Sequence, residues 1–301
     1  MTDTHTSRFT LRSERGATLA LQRINAAAGN TDGTVGEPVL LAHGTFSNHR
    51  TCGGLARYLA SRGFDCWLLD YEGHGDSDSV EPAADFESLF LSGTYSALQF
   101  VHDTTGQKVH WIGHSGGGLA ALMAIARQPR SLEYLQSLVM LASQASDAGQ
   151  LPSHRLILRA FTLLTRALGH VPARRLKLGP DNEAAAVMLQ WYAWNLTGHW
   201  TGADGLDYLD ALKQCKGFEQ LPLLCMAGSG DWFIAPPIAC RNLYSQLPGE
   251  NKTWLECGLQ QGYSENYSHA RLVSSRSSAR EIWPRIGTWL STQQMNTRTR
   301  P

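Results

Sequence analysis

With 301 residues, 43% of them hydrophobic, the chain is long enough to bury the core of one large α/β domain or two small ones without covalent staples. Its 26 basic and 26 acidic residues balance, so the net charge argues for neither a nucleic acid nor a strongly charged partner. No apolar run approaches the roughly 20 residues that span a bilayer. The polar start MTDTHTSRFTLRSERG also lacks a basic segment followed by an apolar one, so a chain without a transmembrane segment and with a cytoplasmic location is expected.

Residues 8–25 alternate around Glu14-Arg15-Gly16, the pattern of an antiparallel hairpin at a sheet edge. A polar, glycine-rich loop is expected over 29–37. Pro38–Ala42 is an all-apolar strand that ends in His43-Gly44-Thr45-Phe46, and Leu55, Tyr58 and Leu59 then give a helical stripe stopped by Gly63. A second buried strand, 64–70, leads into Tyr71-Glu72-Gly73-His74-Gly75-Asp76-Ser77. Helical spacing returns at Phe86, Leu89, Phe90, Leu98 and Val101. A short apolar run, 109–112, then meets Gly113-His114-Ser115-Gly116-Gly117 and passes at once into a helix that ends near Pro129. A strand follows over 135–142. Apolar strands alternating with amphipathic helices predict an α/β fold with a mostly parallel sheet and helices on both faces.

That rhythm breaks between 146 and 218, where no strand-like run interrupts helical patterns rich in arginine and aromatic residues. Ile157, Phe161, Leu164 and Leu168 form one stripe, and QWYAWNLTGHW follows. A helical insertion after the sixth strand is expected. The sheet pattern resumes at 221–227, followed by Gly228-Ser229-Gly230-Asp231, a helix over 239–247, a strand at Lys252–Cys257 and a loop over 258–269. A last helix carries Ile282, Trp283, Ile286, Trp289 and Leu290. The expected organisation is a core of 1–145 and 219–292, a cap of 146–218, and a flexible tail of 293–301. Six cysteines, Cys52, Cys66, Cys215, Cys225, Cys240 and Cys257, show no CxxC spacing and are expected to be buried free thiols. No histidine or carboxylate spacing suggests a metal, and neither metal nor cofactor is expected.

Residues 108–120 carry the chemistry. Gly113-His114-Ser115-Gly116-Gly117 is a G-x-S-x-G turn, in which a sharp strand-to-helix bend exposes the serine hydroxyl. Glycines two residues before and after the serine clear the close backbone approach that the bend requires. Ser115 is the candidate nucleophile. A serine hydroxyl needs an imidazole to take its proton and a carboxylate to orient that imidazole.

HGTF, DYEGHGDS, GHSGG, GSGDW and YSHARL together make the chain resemble the α/β-hydrolase-fold serine hydrolases of the lipase and esterase kind, over nearly its whole length from Pro38 to Leu290. In that arrangement the triad follows the order serine, acid, histidine, each in a loop after a strand. The resemblance therefore implies Asp231 as the acid and His269 as the base, with Asp147 as the rival acid position. It also implies an oxyanion hole formed by the backbone N–H groups of Thr45 and Gly116. Phe46 is the fallback donor, or else a wall of the acyl pocket.

His43 and His114 are expected to pack beneath the site, His74 to sit in a surface turn, and the cap histidines to lie at the surface. His114, Trp191 and Trp194 are candidate pocket residues, with packing of the cap onto the body as the alternative for the two tryptophans. Six cations between Ser153 and Gly179, with no acid among them, fit a solvated helix face, or else an anionic head group or a membrane surface. The expected activity is hydrolysis of a small ester with a hydrophobic acyl group. Thioester hydrolysis and acyl transfer use the same triad, and a non-catalytic ligand-binding protein is the rival of a different class.

Overall fold

The computed structural model describes residues 4–26 and 36–298, so most of the expected 29–37 loop lies outside the described residues. The chain opens with the hairpin β1 (Thr4–Arg12) and β2 (Thr18–Ala26), paired antiparallel in register from Thr4 with Ala26 to Arg12 with Thr18. Then come β3 (Pro38–Ala42), α1 (His49–Ala60), β4 (Asp65–Leu69), α2 (Phe86–Thr105), β5 (Val109–His114), α3 (Gly116–Arg127), the short α4 (Ser131–Tyr134) and β6 (Leu135–Leu141). The sheet has eight strands in the order β1-β2-β4-β3-β5-β6-β9-β10, where β9 is Leu223–Gly228 and β10 is Lys252–Cys257. From β4 to β10 every pairing is parallel, and β2 alone runs against the rest.

Parallel strands need crossover helices, which cover both faces, so β3, β4, β5 and β9 are buried along their whole length. On one face α1 and the last helix, α11 (Arg276–Arg298), bury Leu55, Leu59, Ile282, Ile286 and Leu290 against Val39, Leu41 and Ile112. On the other, α2 and α3 bury Phe90, Leu98, Leu119 and Met123 against Leu40, Trp67 and Trp111. The Asp85 side chain caps α2 by accepting the Ser88 N–H, and Gly106 closes it in the left-handed conformation that a β-carbon disfavours. All six cysteines are buried free thiols. The tail expected from Gln293 instead continues α11 as helix to Arg298.

The insertion after β6 holds α5 (Pro152–Leu168), β7 (His170–Val171), α6 (Ala173–Leu176), β8 (Glu183–Ala184), α7 (Ala185–Thr197) and α8 (Tyr208–Gln214). It is helical except for the β7–β8 ribbon, whose two-residue strands are too short to leave a pattern in the sequence. The chain then returns to the sheet, and α9 (Pro237–Gln246) and the short α10 (Arg271–Ser274) complete the core.

Candidate active site

Ser115 stands between β5 and α3 with φ 54° and ψ −121°, a region in which a non-glycine residue is strained by on the order of 1–3 kcal/mol. Its surroundings hold it there. The Ser115 N–H donates to the Leu141 carbonyl at 2.8 Å, and its own carbonyl accepts from the Ser143 hydroxyl at 2.8 Å and the Gly118 N–H at 3.0 Å. A β-carbon at Gly113 would run into the Gly117 carbonyl, and one at Gly117 into the carbonyls of Ala42 and His43. Those two glycines let β3, β5 and α3 meet at the turn.

Asp231 and His269 come from loops after β9 and β10 that are pressed together. The Gly230 N–H donates to the Tyr267 carbonyl at 2.9 Å, and side chains at Gly228 or Gly230 would strike the Tyr267 and Asn266 carbonyls. His269 Nδ1 donates to Asp231 Oδ2 at 2.6 Å, and the Ile234 and Ala235 N–H groups donate to the same carboxylate at 3.1 Å each. Burial alone would raise the Asp231 pKa; the imidazole and the two N–H groups outweigh it and hold the carboxyl below its ordinary range. An ionised Asp231 fixes the proton on Nδ1 and leaves Nε2 as the free acceptor. Ser115 and His269 line the same cavity. Asp147, the rival acid, donates its backbone N–H to the Gln144 amide oxygen at 2.9 Å.

Two more histidines support this centre as neutral groups. His114 is buried with its ring 4.7 Å from that of His269, and its Nε2 donates to the His269 carbonyl at 3.1 Å. Burial lowers its pKa to about 3. His43 donates from Nδ1 to the Gly44 carbonyl at 2.7 Å and accepts the Tyr71 N–H at 3.1 Å; burial, aided by the charge on His74, lowers its pKa to about 4. Both lie beneath the site, and His114 also reaches the cavity wall.

The loop after β3 carries Thr45 and Phe46. Phe46 has φ 64°, a second strained non-glycine residue, and the insertion after β6 grips its backbone from both sides. Glu183 accepts the Phe46 N–H at 3.2 Å, and the Asp181 N–H donates to the Phe46 carbonyl at 3.1 Å. The N–H of Phe46, the fallback donor, is bonded to Glu183, and Phe46 lines the cavity.

Glu183 is itself buried and accepts from His74 Nε2 at 3.2 Å, while His74 Nδ1 donates to the Glu72 carbonyl at 2.9 Å. Burial opposes charge on His74, yet the carboxylates of Glu183 and Asp181 overcome it and raise its pKa to about 9. Asp181 accepts from Asn48 at 2.6 Å, the Gly75 N–H at 3.2 Å and Arg174 at 2.7 Å. His74 is therefore a buried cap-to-body contact, not a surface-turn residue, because the sequence of its turn does not reveal the cap folded over it.

The cavity has a volume of about 750 Å³, and its wall between Ser115 and the cap includes Phe86, Leu119, Ile157, Phe161, Met188 and Trp191. Among the described residues no carboxylate side chain lines it. Trp194 stands away from the cavity, edge-on to Phe86 at 5.1 Å with its indole N–H on the Thr201 carbonyl at 2.8 Å, so it packs the cap onto the body. His154, expected at the surface, is buried and bonds the Ala148 carbonyl. His49, Asp70 and Asp76 come close enough to suit a metal, a grouping that sequence spacing did not suggest. Asp70 is occupied by the His49 ring at 2.7 Å, the His49 N–H at 2.7 Å and the Asp76 N–H at 2.9 Å, which accounts for the cluster structurally.

A family model described as serine aminopeptidase, S33, matches residues 34–256. The chain is 26% identical over 134 residues to a probable alcohol acetyltransferase of Cyberlindnera fabianii, covering 44% of this chain and 33% of that one. It is 30% identical over 151 residues to a tear acid lipase-like protein of Mesocricetus auratus, covering 44% and 38%. The chain thus spans well under half the length of these relatives. A thermophilic esterase of Thermogutta terrifontis superposes with a TM-score of 0.63 over 95% of this chain and 99% of that one, at 17% identity, a likeness of fold. The family model covers well over half of the sequence, and the chain belongs to the serine aminopeptidase S33 family of α/β hydrolases.

Proposed function

We propose that the chain is a serine hydrolase that cleaves carboxylic esters with a hydrophobic acyl group through an acyl-enzyme on Ser115. The observation that carries this is the placing of Ser115 and of His269, itself bonded to buried Asp231, on the wall of one apolar cavity. The Ser115 hydroxyl attacks the ester carbonyl carbon while its proton passes to His269 Nε2. Negative charge gathers on the carbonyl oxygen, where the N–H groups of Thr45 and Gly116 meet it; the first-turn N–H groups of α3 have no intrahelical acceptor. As the carbon–oxygen bond breaks, the imidazolium gives its proton to the leaving alcohol. Water then attacks the acyl-enzyme, yields a proton to His269, and the acid departs as Ser115 regains its own.

A peptide's free amino terminus would call for a carboxylate in the pocket, and the lining offers none, which favours an ester over an aminopeptidase substrate. The six free thiols fit the reducing cytoplasm. The test is a panel of esters, thioesters and amides with acyl chains from acetyl to decanoyl, run on wild type and Ser115→Ala. Ester turnover is expected to favour decanoyl over acetyl and to fall by on the order of 10⁴-fold or more in the variant. A fluorophosphonate probe that labels both chains equally would remove Ser115 as nucleophile. Faster transfer to added alcohol than to water would turn the reading toward an acyltransferase.

A further inference from the structure

The cavity opens into a face that breaks the usual rule for a solvent-facing helix. On α5, His154, Leu158 and Thr165 point inward and are buried, while Ile157, Phe161, Leu164 and Leu168 turn to the cavity. The opposite side should be polar. Instead Leu156, Ala160, Leu163 and Ala167 follow one another at spacings of four, three and four residues, with Leu156 and Leu163 each 68% exposed. Arg155, Arg159 and Arg166 border that stripe. Beyond the mouth Leu176 and Leu178 stand exposed among Arg174, Arg175 and Lys177, and Trp232, 66% exposed, and Ile234 close the ring from the core side. Contiguous exposed apolar area of this kind, wrapped around a pocket mouth, marks an interaction surface.

Charge identifies the partner. From residue 148 to 180 there are six cations and no acid, leaving 20 basic against 26 acidic residues over the rest of a neutral chain. Arg155 is taken by the Leu196 carbonyl and Arg174 by Asp181. Arg159, Arg166, Arg175 and Lys177 are exposed, and among the described residues none of the four forms an ion pair. Leucine and tryptophan on one level with unneutralised cations suit the boundary between acyl chains and anionic head groups. No described helix is long and apolar enough to cross a membrane.

We propose that this face docks on an anionic lipid surface, with Leu156, Leu163, Leu178 and Trp232 entering the acyl boundary and Arg159, Arg166, Arg175 and Lys177 meeting the head groups. The docked orientation sets the cavity mouth against the lipid, so an apolar substrate passes into the pocket without crossing water.

Docking does not depend on the chemistry at Ser115, and the experiment keeps the two apart by using the full chain carrying Ser115→Ala. The protein is sedimented with vesicles of phosphatidylcholine alone and of phosphatidylcholine with phosphatidylglycerol. Binding is expected to the anionic vesicles and to weaken as salt rises. Leu156→Ser with Leu163→Ser should lower it about tenfold or more, with the thermal melt unchanged. Neither leucine lines the cavity, so in the active chain that pair should spare turnover of a short soluble ester and slow turnover of a lipid-dispersed one. Equal sedimentation with and without anionic lipid would overturn the proposal, as would anionic binding that the leucine pair leaves intact. Analytical ultracentrifugation showing a dimer that the same pair abolishes would assign the face to a second copy of the chain instead.

Discussion

The Glu183 carboxylate, in the cap, accepts the Phe46 N–H of the loop that carries Thr45 at 3.2 Å, and the same Oε2 accepts from His74 at 3.2 Å. A buried ion pair therefore fixes a strained backbone beside the proposed oxyanion hole. Replacing Glu183 by alanine frees the Phe46 peptide and leaves His74 unpaired. Loss of a whole oxyanion donor lowers kcat by about 10²–10³, and loosening one should lower it about tenfold or more, with KM for a short ester little changed. Glu183→Gln can still accept the Phe46 N–H and should recover part of the rate. A variant that melts earlier yet turns over at the wild-type rate would confine Glu183 to a structural role.

The same pair gives a pH signature. His74 has an ordinary pKa of 6.5 that the fold raises to about 9, Glu183 outweighing burial, so folding takes up a proton between those values. Its stabilising contribution is fully present below about 6.5 and is lost as pH rises through about 9. The groups facing it are Glu183, Asp181 and the neutral ring of His43, 5.3 Å away. Melting temperature should therefore fall between pH 7 and pH 10, and in Glu183→Gln the fall across that window should shrink. Matching pH curves for the two chains would count against a charged His74.

Asp231 and Asp147 can be separated by neutralisation. Asp231→Asn removes the acceptor that sets the His269 tautomer and should lower kcat by on the order of 10⁴-fold. Asp147→Asn should stay within about twofold of wild type, since the imidazole Nδ1 is bonded to Asp231. Ester turnover of the two purified variants decides, and the reverse order would move the acid to Asp147.

The turn at Ser115 sets a steric limit. Gly117→Ala would drive a methyl group into the Ala42 and His43 carbonyls, both backbone atoms of a central strand and its loop. Overpacking of this kind destabilises by about 1–3 kcal/mol or more. Chemical denaturation should register that loss together with a sharp fall in fluorophosphonate labelling. Unchanged stability would mean that β3 and α3 can move apart.

Much of this site is legible in single short stretches. Ser115 with its glycines, Asp231 and His269 each lie in a loop whose local sequence states its geometry, and the order of the three along the chain links them. The grip on Phe46 is not legible, because Glu183 and His74 are 109 residues apart and Glu183 sits in a two-residue strand with no pattern of its own. His74 reads as a surface turn because the glycines around it speak for the bend and say nothing of the cap above. Trp194 and Trp191 are also indistinguishable by type. Only the direction each takes from α7 sends one against Phe86 and the other to the cavity. The stripe Ile157, Phe161, Leu164 and Leu168 was visible as a helical face, but Leu156 and Leu163 fall outside it, and nothing in a single helix says that its outer side is apolar by design.

The tight contact between the loops of Gly230 and Tyr267 has a consequence for how the molecule can move. His269 and Asp231 are both carried by the sheet core, on loops bonded to one another, whereas Phe46 is tied to Asp181 and Glu183 of the cap. The proposed machinery thus divides into a fixed half and an adjustable half. Displacement of the inserted segment would leave the proposed proton relay set while altering the proposed oxyanion hole. Substrate arrival could then tune the barrier through one strained peptide, leaving the base ready throughout.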